Sequence, residues 1–289
     1  MSSGPVSSDP VSSDPVSSDP VSSDPVSSSP AVAEAEDRRD AAVVGMTLAW
    51  WAKRRPDALA FVSPAGSRTF GELNAGANRL VRALRRRGLH EGDAVVLLCT
   101  NRPEFAESVF ACQRAGLRLT PINWHLTGTE AAYIATDCGA KAIVADSSLA
   151  TSSLAASSLA ASPLAPSSVA ASSLADSSLA PSSVADSSLA PSAAVAVEST
   201  PVRLAIGGEA EGFESFESAV AAEPGNDIDD PALGNLMMYT SGTTGRPKGV
   251  YRSPELARAI AGAPAVNLYG YGEDGTDIHL CTGPLYHAA

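Results

Sequence analysis

Residues 239–250 read Tyr-Thr-Ser-Gly-Thr-Thr-Gly-Arg-Pro-Lys-Gly-Val, and no other stretch of the chain is so well equipped for chemistry. Gly242, Gly245 and Gly249 let a backbone turn sharply and bring its N–H groups close to an anion. Thr240, Ser241, Thr243 and Thr244 add hydroxyl donors for phosphate oxygens. Lys248 adds a mobile point charge. The combination describes a polyphosphate cradle. It is not a Walker A loop, which needs G-x-x-x-x-G-K-[ST], because Gly242 and Gly245 stand too close and Gly249 follows the lysine.

The elements around this loop read as α/β. Residues 236–240 form an apolar strand that runs straight into it, and Ser253 with Pro254 opens a helix to about residue 261. Further upstream, Thr69 and Glu72 have capping-box spacing. The helix they open places Leu73, Ala77, Leu80 and Leu84 on one face and ends near Gly88. Its arginines, Arg79, Arg82, Arg85, Arg86 and Arg87, fall mostly off that face and read as a solvated surface. Residues 94–100 are a continuous apolar run, as in a strand buried on both faces. Pro103 suits the first turn of a helix to about residue 115. A strand at 118–123, a helix opened by Thr127 and Glu130, and a strand at 141–146 follow. Strands alternating with helices imply right-handed crossovers and a parallel sheet. Past residue 200 the reading gives a strand at 202–206, a helix at 213–222 and a final strand at 277–282.

Two low-complexity tracts interrupt this pattern. Residues 2–31 repeat Ser-Ser-Asp-Pro-Val, and proline at every fifth position removes helix hydrogen bonds. This segment, 1–31, is expected to be a disordered, extended tail. Residues 147–197 are a Ser/Leu/Ala/Pro insert built on a second pentad, whose period matches neither 3.6 nor 2. Disorder is the expectation there, with helical fragments or a small β-helix as alternatives. Loop length costs stability only logarithmically, so deleting 147–191 is expected to leave folding unharmed. Without the tracts roughly 200 residues of globular composition remain, enough for a large core.

The chain carries 20 basic and 32 acidic residues, a formal net charge of −12. That argues against nucleic acid or an anionic membrane as general partners. Cys99, Cys112, Cys138 and Cys281 form no C-x-x-C pair, and three sit in apolar surroundings. Buried free thiols in a reducing cytoplasm account for them, and a zinc site is not expected. No apolar run approaches the 18 or so residues of a membrane span. The N-terminus has neither the basic nor the apolar region of a secretory signal.

The order T-S-G-T-T-G-R-P-K-G resembles the signature of the AMP-binding, acyl-adenylate-forming superfamily, which includes acyl-CoA synthetases, luciferases and nonribosomal peptide adenylation domains. The chain as a whole resembles an N-terminal part of a fatty-acyl-CoA synthetase, with luciferase-like or peptide-synthetase adenylation as the alternative. Arg68–Asn74 resembles that family's early T-[YF]-x-E-L helix start, Pro121–Leu126 a fatty-acyl-CoA synthetase segment, and Pro284–His287 the later P-[LM]-[FY]-H segment. The resemblance implies an incomplete large N-terminal domain over 40–289, with parallel sheet layers and flanking helices, interrupted by the 147–197 insert. It implies a reaction in which a carboxylate attacks the α-phosphate of Mg-ATP and a thiol, usually CoA, then displaces AMP. It assigns Thr240, Ser241, Gly242, Thr243, Thr244, Gly245 and Lys248 to the β- and γ-phosphates, and Tyr286 and His287 to the carboxylate and acyl side. Lys248 and His287 are its catalytic candidates. Trp124 and His125 read as structural, and His90 and His279 receive no role. The partners it implies are a small carboxylic acid, ATP with Mg²⁺, and CoA. The family's Y-G-x-T-E loop, ribose-binding aspartate and C-terminal lysine do not occur in these residues. The chain by itself is therefore expected to be an inactive fragment. A truncated phosphate-binding remnant with two disordered arms is the rival expectation.

Overall fold

The computed structural model describes residues 30–126, 128–150, 200–240, 247–263 and 276–287. The first expected tract therefore lies outside the described residues up to 29, and the second from 151 to 199. A helix, α1 (Pro30–Val43), begins two residues inside the expected tail.

The core is built from α3 (Phe70–Arg86) outward. The Thr69 hydroxyl accepts from Glu72 N, and the Glu72 carboxylate accepts from Thr69 N, so both halves of the capping box are present. Leu73, Ala77, Leu80 and Leu84 are buried, the last three completely. Full burial of each leucine is worth about 2–3 kcal/mol. Before α3 come α2 (Thr47–Arg54) and an antiparallel hairpin of β1 (Leu59–Ser63) and β2 (Gly66–Thr69).

After α3 the chain alternates as the sequence predicts: β3 (Ala94–Leu98), α4 (Pro103–Arg114), β4 (Arg118–Pro121), α5 (Gly128–Asp137) and β5 (Ala140–Asp146). Thr127 lies outside the described residues, so the cap expected there is not seen. Then come β6 (Val202–Ile206), β7 (Glu214–Ser215), α6 (Phe216–Ala221) and β8 (Asn235–Leu236). The expected helix at 213–222 starts later, because Glu214 and Ser215 pair with β6 first and Ser215 then caps the helix. These strands form one parallel sheet in the order β7-β6-β5-β3-β4-β8. Val95 and Leu97 of β3 enter one apolar cluster with α3 and α4, and Ala94, Val96 and Leu98 enter another with Ile134 of α5 and Ile143 of β5. That double burial is why β3 reads as an unbroken apolar run.

Of the α3 arginines, Arg79 and Arg86 are exposed as expected, whereas Arg82, Arg85 and Arg87 are only partly so, and four of the five are paired. Arg82 donates to the carbonyls of Pro224, Asn226 and Asp227, Arg85 pairs with Asp230, Arg86 with Glu223 and Arg87 with Glu214. They clasp residues 214–230 onto the helix. Beneath them, Arg114 is fully buried and donates to the side-chain oxygens of Asn74 and Asn78, whose amides in turn donate to Asp227. Burial pushes the Arg114 guanidinium down to about 10, against the pull of Asp227.

The expected strand at 277–282 is absent, and Ile278 and Leu280 are exposed. Alternating residues make a strand only beside a partner's N–H and C=O groups, and no described strand lies there. Cys99, Cys112 and Cys138 are buried free thiols, whereas Cys281 is exposed.

Residues 147–150 form a helical turn with Ala150 buried, so the start of the pentad tract belongs to the fold. β5 and β6 are parallel neighbours, and their connection must recross the sheet, which takes about a dozen residues. Deleting 151–191 retains that turn and a connection of about 14 residues, and should leave the midpoint of thermal unfolding nearly unchanged. Extending the deletion to 147–199 removes the crossover. It should abolish cooperative unfolding in a calorimeter.

Candidate active site

The C-terminal ends of parallel strands are where α/β sheets bind ligands, and the loop leaves from one of them. β8 pairs with β4, and Met237 N still donates to Leu119 O at 2.8 Å. At Met238 the chain leaves the sheet. There β9 (Met238–Thr240) pairs antiparallel with β10 (Lys248–Val250), before α7 (Pro254–Gly262). The single strand expected at 236–240 is thus two strands with different partners. Thr240 stands opposite Lys248 at the mouth of this ribbon, and its hydroxyl lies 3.4 Å from the Lys248 carbonyl. Both residues are exposed. Ser241, Gly242, Thr243, Thr244 and Gly245 lie outside the described residues.

The ribbon is fixed at several points. The Tyr239 hydroxyl donates to Asp137 Oδ2 at 2.6 Å, and Asn235 Nδ2 donates to Arg252 O at 3.0 Å. The Arg118 guanidinium lies 5.6 Å from the centre of the Tyr251 ring. Burial, and then the bond to Asp137, push the Tyr239 phenol well above its ordinary range, so it stays a donor.

A second group gathers at the end of β4. The Trp124 ring lies 3.6 Å from that of His125 and meets Tyr286 edge-on at 6.0 Å. Tyr286 is buried, whereas His287 beside it is exposed. Asn101, just past β3, holds this turn: its amide donates to Gly283 O at 3.1 Å and its oxygen accepts from Leu285 N at 2.9 Å. Trp124 packs against both apolar clusters, and Met237 and Tyr239 pack against the second. The structure therefore joins Tyr286 and His287 to Trp124 and His125, which sequence reasoning had left as structural. It also adds Asn101, for which no local signal exists.

Close to Asn101, Asp146 at the end of β5 ties that strand to the residues after β3, accepting from Thr100 at 3.0 Å and from Arg102 at 3.2 Å. Burial alone would raise this carboxyl. Hydrogen bonds from Ser148, Thr100 and Arg102 outweigh it and hold the group below the usual carboxylate range. Among the described residues no cluster of three or more His, Cys, Asp or Glu could hold a metal, and no helix is long and apolar enough to cross a membrane.

The family model for AMP-binding enzymes matches residues 48–289. The chain belongs to the AMP-binding enzyme family. Among curated AMP-binding relatives, the long-chain-fatty-acid–CoA ligase FadD13 of Mycobacterium tuberculosis is 29% identical over 252 residues, covering 84% of this chain and 41% of the relative. Indoleacetate–CoA ligase of Aromatoleum aromaticum is 27% identical over 250 residues, with the same two shares. This AMP-binding chain thus spans about two fifths of the length of those relatives. Among solved structures, the anthranilate CoA ligase AuaEII in complex with anthranoyl-AMP superposes with a TM-score of 0.55 at 23% identity, over 74% of this chain and 35% of that one. The fold is that of the N-terminal domain of adenylate-forming enzymes.

Proposed function

We propose that the full-length protein activates a fatty or similarly hydrophobic carboxylic acid with ATP and passes the acyl group to CoA. The observation that carries this reading is the ribbon, which sets Thr240 and Lys248 face to face at the mouth of a Gly/Thr loop. In the proposed reaction a carboxylate oxygen attacks the α-phosphorus, the bond to pyrophosphate breaks, and acyl-AMP forms. The CoA sulfur then attacks the acyl carbon, loses its proton and expels AMP. Thr240, Ser241, Gly242, Thr243, Thr244, Gly245 and Lys248 receive the β- and γ-phosphates. Tyr286 and His287 border the carboxylate. Such a step needs positioning and charge neutralisation more than covalent help. Of the residues assigned to the phosphates, Thr240 and Lys248 are among the described ones, and Mg²⁺ is assigned to no residue of this chain. A cytoplasmic location belongs to the same proposal, on the strength of three buried free thiols.

Acid-dependent exchange of pyrophosphate into ATP by the full-length protein, followed by consumption of CoA, tests both halves. Absence of exchange would sink the activation step. Exchange without CoA consumption would favour a second reading, transfer to the thiol of a carrier. That reading draws support from the nonribosomal peptide synthetase NPS2 of Ceriporiopsis subvermispora, 27% identical over 218 residues.

A further inference from the structure

We propose that Asp137 is a positioning residue for Lys248, acting through the hydroxyl of Tyr239. This rests on the reading of Lys248 as a phosphate ligand. Asp137 is the last residue of α5, where a carboxylate is disfavoured by the negative end of the helix dipole. It is exposed there, yet it makes a bond of 2.6 Å to a tyrosine 102 residues later. That length belongs to charge-assisted O–H···O⁻ bonds, which are about twice as strong as neutral ones.

The tyrosine it holds touches both strands of the ribbon. Tyr239 is bonded directly to Thr240 on one strand. On the other it faces Gly249, the residue after Lys248. A Cβ at Gly249 would stand 3.0 Å from the Tyr239 Cζ and 3.2 Å from its Oη, and 2.3 Å from the Met237 methyl, so the end of the phenol and that methyl both pack over Gly249. Fixing the phenol thus fixes Thr240 through the chain and Lys248 through packing. Within the ribbon the Thr240 hydroxyl reaches the Lys248 carbonyl, whereas the other described ties to its surroundings, from Asn235 to Arg252 and from Arg118 to Tyr251, act at or beyond the opposite end. Asp137 is the described side chain that tethers it nearest the mouth, and α5 is itself anchored by the burial of Ile134 and Ala135.

The test uses Tyr239→Phe, Asp137→Ala, Asp137→Asn and the Tyr239→Phe/Asp137→Ala double variant in the full-length protein. Tyr239→Phe and Asp137→Ala should each lower kcat for acid-dependent pyrophosphate exchange about tenfold, with the KM for the acid unchanged. The double variant should be no worse than either single one. Asp137→Asn keeps an acceptor oxygen for the phenol and should retain most of the rate. Amide hydrogen exchange at residues 248–250 should accelerate in Tyr239→Phe and Asp137→Ala but not in Asp137→Asn, and this readout needs no turnover. Wild-type kcat in both single variants, or losses that multiply in the double variant, would overturn the proposal. If the unmodified protein performs no pyrophosphate exchange, the functional reading fails instead. Amide exchange then decides the tether alone: acceleration supports it, and unchanged rates overturn it.

Discussion

Lys248→Ala in the full-length protein is expected to slow acid-dependent adenylate formation by roughly 30- to 1000-fold while leaving the fold intact. The two halves of this result come from different features of the site. Lys248 begins β10, and its side chain is exposed, so truncating it removes no core packing. Its backbone pairing with Thr240 does not depend on the side chain. The charge matters only where negative charge gathers on departing pyrophosphate, and losing one such charge-assisted contact costs on the order of 2–4 kcal/mol. Stopped-flow or exchange assays of adenylate formation, beside a thermal unfolding curve, check both halves. An exchange rate within about threefold of the unmodified protein would remove Lys248 from the phosphate site. Lys248→Arg keeps the charge but not its compact shape, and should recover only part of the loss.

How much of this site could be read without coordinates depends on the range of the interactions that build it. α3 was legible because its cap and its apolar stripe are local: Thr69 meets Glu72 three residues on, and Leu80 meets Leu84 four residues on. β3 was legible because burial on both faces leaves an unbroken apolar run. The break between β8 and β9 was not. Leu236, Met237, Met238 and Tyr239 are uniformly apolar, and what divides them is the change of partner from Leu119 to residues 248–250. The role of the α3 arginines was hidden for the same reason, since their acceptors lie more than 120 residues downstream. Trp124 looked structural until Tyr286, 162 positions later in the numbering, was seen against its ring. Ile278 and Leu280 show the opposite error, a strand-like alternation with no strand beside it.

A glycine shows the same dependence on distant contacts most sharply, and it carries the largest effect on stability expected of a single substitution. Gly234 has an ordinary φ and nothing in its neighbourhood in sequence marks it. In the fold it crosses the end of α4, where a Cβ would stand 2.2 Å from Cys112 O and 2.3 Å from Leu117 O. Both obstacles are backbone atoms, so neither can swing away as a side chain can. The close approach is itself useful: Gly234 N donates to Gln113 O at 2.7 Å and Ala232 N to Arg114 O at 2.9 Å, satisfying carbonyls at the helix end. The next residue, Asn235, donates to Leu117 O and starts β8. Gly234→Ala must therefore push the chain outward, breaking the cap and the β8–β4 pairing together. The expected loss is at least about 3 kcal/mol, or a fall in Tm of roughly 6–12 °C for a domain of this size. Gly283→Ala is the matched control: no atom lies within 4 Å of its added Cβ, and Tm should stay put. Because β8 leads directly through Met237 to β9 and Thr240, any Gly234→Ala protein that folds should also lose adenylation rate, with Lys248 untouched. A Gly234→Ala protein melting together with the control would mean that α4 and β4 move apart easily, and that the loop does not depend on how the chain passes between them.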